Sequence, residues 1–389
     1  MSMSLQSRLE YVKTMSERYQ RAKSRNEKSI IIDEVVRTLD YHRKYAIQVL
    51  KHPLALSKSK HSRSRGCRYT EALPVIQTVW RALDYPCAER LHPVLAETAD
   101  MLSRHGHFTL SPLVRSQLSE ISRSTLGRRL SKWLSEKPKS ATTRSSKSFS
   151  RLRSEIPVQR YDWDEKRPGA LEIDLVEHNG GSSQGHYAYT LSAVDIVTGY
   201  SRRRAILGRS QTAVFQALQG ILDEWPMKPW GVHSDNGSEF MNAHLTRFCK
   251  ERGLTFTRSR PYKKNDNAHV EQKNLQYVRE VVGYDRYDTP RAVEWLNAVY
   301  ACLDEYANLF LPMRKVISKE RLQGRVKKRY DRARTPFQRL LETGSLDPHK
   351  QAKFLANKES LDPLRLHQHL EHLIQIGPAQ YAFAKDTTS

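Results

Sequence analysis

A chain of 389 residues in which 65 Lys and Arg outnumber 42 Asp and Glu, for a formal charge of +23, is long enough for two or three domains and suits a polyanionic partner, nucleic acid first. No apolar run approaches the roughly 18–20 residues needed to span a bilayer, and the N-terminus lacks the apolar core of a signal peptide, so no membrane partner and a cytoplasmic location are expected. Cys67, Cys87, Cys249 and Cys302 are widely spaced without a C-x-x-C pair, which argues against a zinc ribbon or a disulfide framework.

In chain order, Leu5–Ala22 and Lys28–Leu39 show apolar residues at helical spacing. A break at Asp40-Tyr41 leads into His42–Lys51, with Tyr45, Ala46, Val49 and Leu50 as inner face and Arg43, Lys44 and Gln48 outward. This predicts a helix-turn-helix DNA-binding region over residues 1–60, its second helix presented to the major groove. The polar, basic stretch His52–Arg68 reads as a linker or a DNA-tracking arm. Residues 69–136 predict a second helical, helix-turn-helix region: helices over Glu71–His105 broken near Tyr85-Pro86, then a pair from Ser111 to Leu134. Ser124 is the expected cap of the last helix, with Arg123, Arg128, Arg129 and Lys132 near or on its exposed side. Residues 137–160 form a basic linker, acid-free from Lys137 to Arg153, whose charge can follow phosphates.

From residue 161 to 310 the pattern changes. Ala170–Glu177, Tyr187–Ile196 and Ser201–Leu207 read as strands joined by short turns, an antiparallel meander. The Gly180–Gly185 stretch is the first of those turns and not a phosphate-cradling loop, because a strand and not a helix follows it. Gln211–Trp225 has a helical period with Ser210 as N-cap. A strand Trp230–Ser234, a helix Asn242–Arg252 stopped by Gly253, and a strand Leu254–Ser259 precede a basic loop and a long helix.

Three acids stand at the ends of these elements: Asp174 in the first strand, Asp235 after the fourth, and Glu271 in the first turns of the long helix. Hard divalent cations take carboxylate oxygens together with substrate phosphates and water. Two such ions can activate a water or a 3′-hydroxyl and stabilise the leaving oxygen of a phosphoryl displacement. A lone strand aspartate carries little weight; the three together, on these elements, carry the reading. Of the other acids, Glu172 shares a strand face with Asp174 and reads as an outer neighbour, Asp195 as a turn residue, and Glu239 as a solvated group or one that supports the ligands from behind. His369 and His372, on one face of a C-terminal helix, read as solvated.

The residues Glu172-Ile-Asp174, His233-Ser-Asp235-Asn-Gly-Ser-Glu-Phe240 and Arg260-Pro-Tyr-Lys-Lys-Asn-Asp-Asn-Ala-His-Val-Glu271 resemble the catalytic core of the retroviral-integrase superfamily, and within it the bacterial insertion-sequence DDE transposases. The resemblance covers about Pro168 to Asp288. It implies an α/β ribonuclease-H-like core with a mixed five-stranded sheet and flanking helices, after the helical N-terminal regions and before a basic, mainly helical extension over 311–389. It also implies a polynucleotidyl transferase that cleaves and joins DNA strands with two Mg²⁺ (or Mn²⁺) ions held by Asp174, Asp235 and Glu271. Expected partners are double-stranded DNA, as element terminal repeats and target, and further copies of the chain; the location is the bacterial cytoplasm, at the nucleoid when DNA-bound.

DNA contacts are expected from Arg43, Lys44, Arg128, Arg129, Tyr262, Lys263, Lys264, Asn267, Lys273 and Asn274. The loop before Glu271 joins basic groups for phosphates to an aromatic ring that can stack on an unpaired base. Asn274 matches the family's Asn three positions after the Glu, whereas Leu275 and Val278 replace its basic residues; Lys273 and Arg279 are the substitutes. Two other functions compete: a ribonuclease-H-like nuclease without strand transfer, and a helix-turn-helix regulator with an inactive core.

Overall fold

In the computed structural model, residues 3–52, 68–136, 167–234, 243–258, 268–322 and 325–386 are described. They fall into two compact units, Met1–Arg68 and Tyr69–Ser389. The described residues of the first form the helices α1 (Leu5–Arg21), α2 (Arg25–Leu39) and α3 (Arg43–Lys51). Ser24 and Glu27 form a capping box that fixes the start of α2, and Asp40, in the left-handed region at φ 54°, ends it. Val12, Met15, Ile31, Val35, Val49 and Leu50 close the core. Ser16 Oγ donates to the Leu50 carbonyl at 2.7 Å, which satisfies an acceptor that the end of α3 would otherwise bury unpaired. Tyr45, expected inward, is 43% exposed and packs edge-on against Tyr41 at 4.9 Å; its phenol reaches water where an aliphatic side chain would be driven inside.

The second unit opens with α4 (Leu73–Ala82), the single turn α5 (Ala88–Leu91), α6 (Leu95–Arg104), α7 (Pro112–Glu120) and α8 (Arg123–Glu136). Asp84 and Tyr85, both at positive φ, make the break after α4. The cap of α8 is Ser122, whose Oγ accepts the Thr125 N–H, and not Ser124: the side chain that reaches back over the first turn must precede it.

The sheet follows. Its strands are β1 (Ala170–Glu177), β2 (Ala188–Asp195), β3 (Ser201–Leu207), β4 (Gly231–Ser234) and β5 (Thr255–Arg258), in the order β3-β2-β1-β4-β5. β1, β2 and β3 pair antiparallel, while β1–β4 and β4–β5 pair parallel. The expected meander and the mixed ribonuclease-H-like sheet are therefore present. Asp195 is a turn residue: buried, it accepts the N–H groups of Gly169 and Thr198, each at 2.7 Å. Interleaved helices are α9 (Gln211–Asp223), capped by Ser210, and α10 (Ala243–Glu251). Next come α11 (Ala268–Asn274), which continues through a π-helical turn at Leu275–Arg279, and α12 (Pro290–Leu309).

β3 is an edge, and α12 runs along it. An open strand edge leaves backbone groups that must be paired or wetted. Asn297 donates to the Ala205 carbonyl at 3.0 Å and accepts its N–H at 2.8 Å. Asp304 accepts the Arg203 N–H at 2.7 Å, and Asn308 takes both backbone groups of Ser201. Three side chains on one helical face thus act as the missing strand. The aliphatic and aromatic face of α12, with Trp295, Leu296, Val299 and Leu303, lies in the core as expected.

After α12 the chain forms a hairpin of β6 (Val316–Leu322) and β7 (Arg325–Tyr330), then α13 (Pro336–Glu342), α14 (Pro348–Ser360) and α15 (Pro363–Asp386), interrupted at Gly377. The hairpin is the strand element of an extension that is otherwise helical, so the described residues agree with a mainly helical extension. α15 and the early helices share one core with α12: the Tyr306 hydroxyl donates to the Ala82 carbonyl at 2.8 Å and the Trp295 indole to Leu373 at 2.7 Å. His369 and His372 are exposed. Among the described residues no helix is long and apolar enough to cross a membrane.

His178, at the end of β1, gives the unit an acid sensitivity. Its ring is buried against Tyr287 and shares a 2.8 Å hydrogen bond with Thr190. Burial, with Arg279 adding, pushes its pKa down from 6.5 to about 3. A histidine depressed in the folded state contributes stability above pH 6.5 that is lost as pH falls towards about 3. The expected loss is about 1.4 kcal/mol per pH unit across that window. Denaturant unfolding at pH 7 and pH 5 should differ by roughly 2 kcal/mol more in the native chain than in His178→Phe.

Candidate active site

β1 alternates as a central strand must: Leu171 and Ile173 are buried on one face of the sheet, and Glu172 and Asp174 lie on the other. α11 docks over that second face, and two side-chain contacts hold it there. Glu172 Oε2 accepts the N–H groups of His269 and Val270, each at 2.9 Å. These are amides of the first turn of α11, which have no partner within the helix. The cap is supplied from across the fold, by a strand, and the positive end of the helix favours a carboxylate there.

One turn later Asn274 Nδ2 donates to Asp174 Oδ2 at 2.8 Å. Glu271 and Asn274 are three residues apart, hence on one side of the helix. Asp174 is half-buried and Glu271 exposed.

Carboxylates crowd together here. Burial pushes the Glu172 carboxyl up to about 7 against the pull of its two amide donors, and the charges of Glu271 and Asp174 push in the same direction. Its second oxygen, Oε1, and Asn274 Oδ1 are buried without a hydrogen-bond partner. Crowded hard oxygen donors of this kind fit a divalent cation. Asp174 and Glu271 are the two described members of the acid triad. Asp235, Glu239 and the loop residues Tyr262, Lys263, Lys264 and Asn267 lie outside the described residues. β4 ends at Ser234, the residue before Asp235.

Two expected DNA contacts are used otherwise. Lys273 is buried, its ammonium 4.6 Å from the Tyr277 ring centre and 3.9 Å from the Met313 sulfur; burial pushes its pKa down to about 7. Arg203 covers the same ring at 4.7 Å. Helical phase decides this: Lys273 sits two residues from Glu271, on the side of α11 turned into the core, so it is not a phosphate contact. Asn274 is likewise buried and committed to Asp174. Lys44 and Arg128 are exposed and Arg129 half-buried. Arg43 is partly exposed but bound to Asp33 and to Ser29 Oγ, the latter at 2.9 Å.

The part of Glu172 was missed in the sequence. Its place two residues before Asp174 put it on the right face, but nothing in that spacing says that a helix almost a hundred residues later ends on it. Glu172→Gln keeps an oxygen for the two amides and is expected to retain activity. Glu172→Ala, which uncaps α11 beneath Glu271, is expected to lower metal-dependent turnover at the site by about 10- to 100-fold, read from single-turnover rates beside circular dichroism of both variants.

The model of the Integrase core domain family matches residues 164–264. An uncharacterized protein of Sinorhizobium fredii, y4rM, is 37% identical over 329 residues, which cover 84% of this chain and 93% of the relative. Among solved structures, the catalytic core domain of HTLV-2 integrase in complex with magnesium is 13% identical and matches with a TM-score of 0.29, over 38% of this chain and 90% of that one. The catalytic core domain of BIV integrase is 15% identical, with a TM-score of 0.29, over 45% of this chain and 95% of that one.

Proposed function

We propose that this chain, which belongs to the integrase core domain family and so to the polynucleotidyl transferases, is a DDE-type DNA transposase that binds the ends of its element, cuts them and joins them to target DNA. The observation that carries the reading is the lock between β1 and α11. Glu172 holds the first turn of the helix and Asn274 holds Asp174, so Asp174 and Glu271 are presented from facing elements. The parallel register of β1 on β4 pairs Glu172 with His233, so the strand that leads to the sequence position of Asp235 lies beside the strand that carries Asp174.

Asp174, Asp235 and Glu271 would hold two Mg²⁺ or Mn²⁺ ions. When bound, such ions supply an activated water or 3′-hydroxyl and stabilise the leaving oxygen. The chain's own residues do the positioning. Asn274 fixes the rotamer of Asp174, and Glu172 fixes the height of α11 and thereby Glu271. Tyr262, Lys263, Lys264 and Asn267, which precede Glu271 in the sequence, would hold the DNA end. Lys44 at the start of α3, and Arg128 and Arg129 on α8, would contact duplex, with α2–α3 as a helix-turn-helix. Two element ends require two active sites, hence at least two copies on DNA.

The test is a labelled duplex bearing the element's own end, incubated with the protein and Mg²⁺ or Mn²⁺ beside a chelator control. Joined products that need the metal support transposition. Nicking without joining would move the assignment to a nuclease, and binding without any cutting to a regulator.

A further inference from the structure

The hairpin β6–β7 is built unlike the rest of the protein. It is a two-stranded sheet of its own, and Lys319, Glu320, Arg321 and Val326–Tyr330 are all exposed, so both faces of the ribbon meet water. Ile317 is 65% and Val326 55% exposed. An isolated two-stranded ribbon is marginal in water, and this one has little apolar burial to hold it.

Its charges make matters worse. Residues 316–330 carry Lys319, Arg321, Arg325, Lys327, Lys328 and Arg329 against the single acid Glu320. Lys319 is directly opposite Lys328 in the register, and like charges so placed repel; the one acid, Glu320, stands opposite Lys327, which leaves the other cations without a cross-strand acid. Among the described residues, none of Lys319, Arg321, Lys327, Lys328 and Arg329 forms an ion pair.

The root is the opposite. Asp331 is paired with Arg339 at 2.7 Å and with Arg334 at 3.2 Å, and accepts the Lys315 N–H at 2.7 Å. Arg334 also meets Glu342. The Lys315 ammonium donates to the carbonyls of Ile196 and Val197 in the β2–β3 turn. In that turn Gly199, at φ +74°, leaves the space that Met313 fills. Cations are neutralised where the ribbon joins the core and left bare along its length, in a hairpin about 20 Å long.

We infer that this ribbon is a DNA-gripping arm: a rigidly rooted β-hairpin whose bare cations sit against the phosphates of a duplex, sequence-independently. This rests on the transposase reading and names a contact surface of the same protein outside its acid site and its N-terminal helices. The major groove, about 12 Å wide, admits a two-stranded ribbon, and phosphates on either side would neutralise the Lys319–Lys328 repulsion that the free protein bears.

The test compares the full chain with the variant Lys319→Gln, Arg321→Gln, Lys327→Gln, Lys328→Gln, Arg329→Gln. Binding to an element-end duplex and to an unrelated duplex is titrated across salt in the absence of divalent metal. Five released contacts should flatten the slope of log K against log salt by about 3 to 5 on both duplexes, and weaken binding at least about tenfold at low salt. The melting temperature should stay level or rise, because the variant relieves repulsion; a fall in melting temperature with an unchanged slope would make the cations structural and overturn the arm. An unchanged slope in a variant with altered oligomeric state would overturn it too, in favour of a contact between copies. If the native chain joins DNA while both proteins share one slope, the arm fails and the transposase reading stands. If the native chain binds no DNA, both fail together.

Discussion

Asp174→Asn is expected to lower strand joining by at least about a thousandfold while leaving the fold intact. The substitution is close to isosteric, and the Asn carbonyl can still accept from Asn274 Nδ2, which lies 2.8 Å from Asp174 Oδ2. What goes is one negative charge among the oxygens offered to the cations. A metal's stabilisation of developing charge is worth several kcal/mol, and each 1.36 kcal/mol, approximately, is a factor of ten in rate. Stability should not suffer, because Asp174 pushes up the carboxyl of buried Glu172 and its neutralisation eases that burial. The measurement is the joining rate with saturating Mg²⁺, beside thermal unfolding and DNA binding of the same preparation. Joining within tenfold of the native rate would remove Asp174 from the chemistry, and loss of folding would make the residue structural. Asn274→Ala, which frees the carboxylate without removing it, should cost less, about 10- to 100-fold.

The largest loss of stability is expected far from the acids, at Asp304. Its carboxylate meets the Arg203 guanidinium and accepts the Arg203 N–H at 2.7 Å, with side chains only 3% and 0% exposed. Burial pushes the carboxyl above its ordinary value, while the arginine charges pull it back. Asp304→Ala strands the Arg203 charge in the core and unpairs an edge amide of β3. Removing one partner of such a pair costs about 3–5 kcal/mol. Denaturant unfolding should show this directly. Arg203→Met combined with Asp304→Asn should recover most of it, since no buried charge is then left alone and an acceptor for the amide remains. If Asp304→Ala costs less than about 1 kcal/mol, the pair is not desolvated in solution.

The periodicity of the apolar residues was enough to find most elements within a residue or two. β3 at Ser201–Leu207 and the cap Ser210 were legible because alternation and capping are local, set by neighbours a few positions away. The same holds for Asp174 and Glu271, whose elements could be recognised one at a time.

What was illegible depends on which surfaces meet. Lys273 reads as a DNA-facing cation until the docking of α11 on the sheet turns it into the core. Glu172 reads as a bystander until the first turn of α11 arrives above it. Asn297, Asp304 and Asn308 are a polar stripe on a helix until they stand beside the open edge of β3. The hairpin at Val316–Tyr330 has charges at successive positions of both strands, so no alternation marks it as a sheet; it is wet on both faces, and the binary pattern that betrays a strand exists only where one face is buried. The sequence alone thus determined most of the elements and the order of the sheet's strands in the chain, and it nominated the acids of the site, since those follow from short-range periodicity and spacing. Only the tertiary structure decided which polar side chains hold α11 and the sheet edge in place, because those partners lie roughly a hundred residues apart and are chosen by packing.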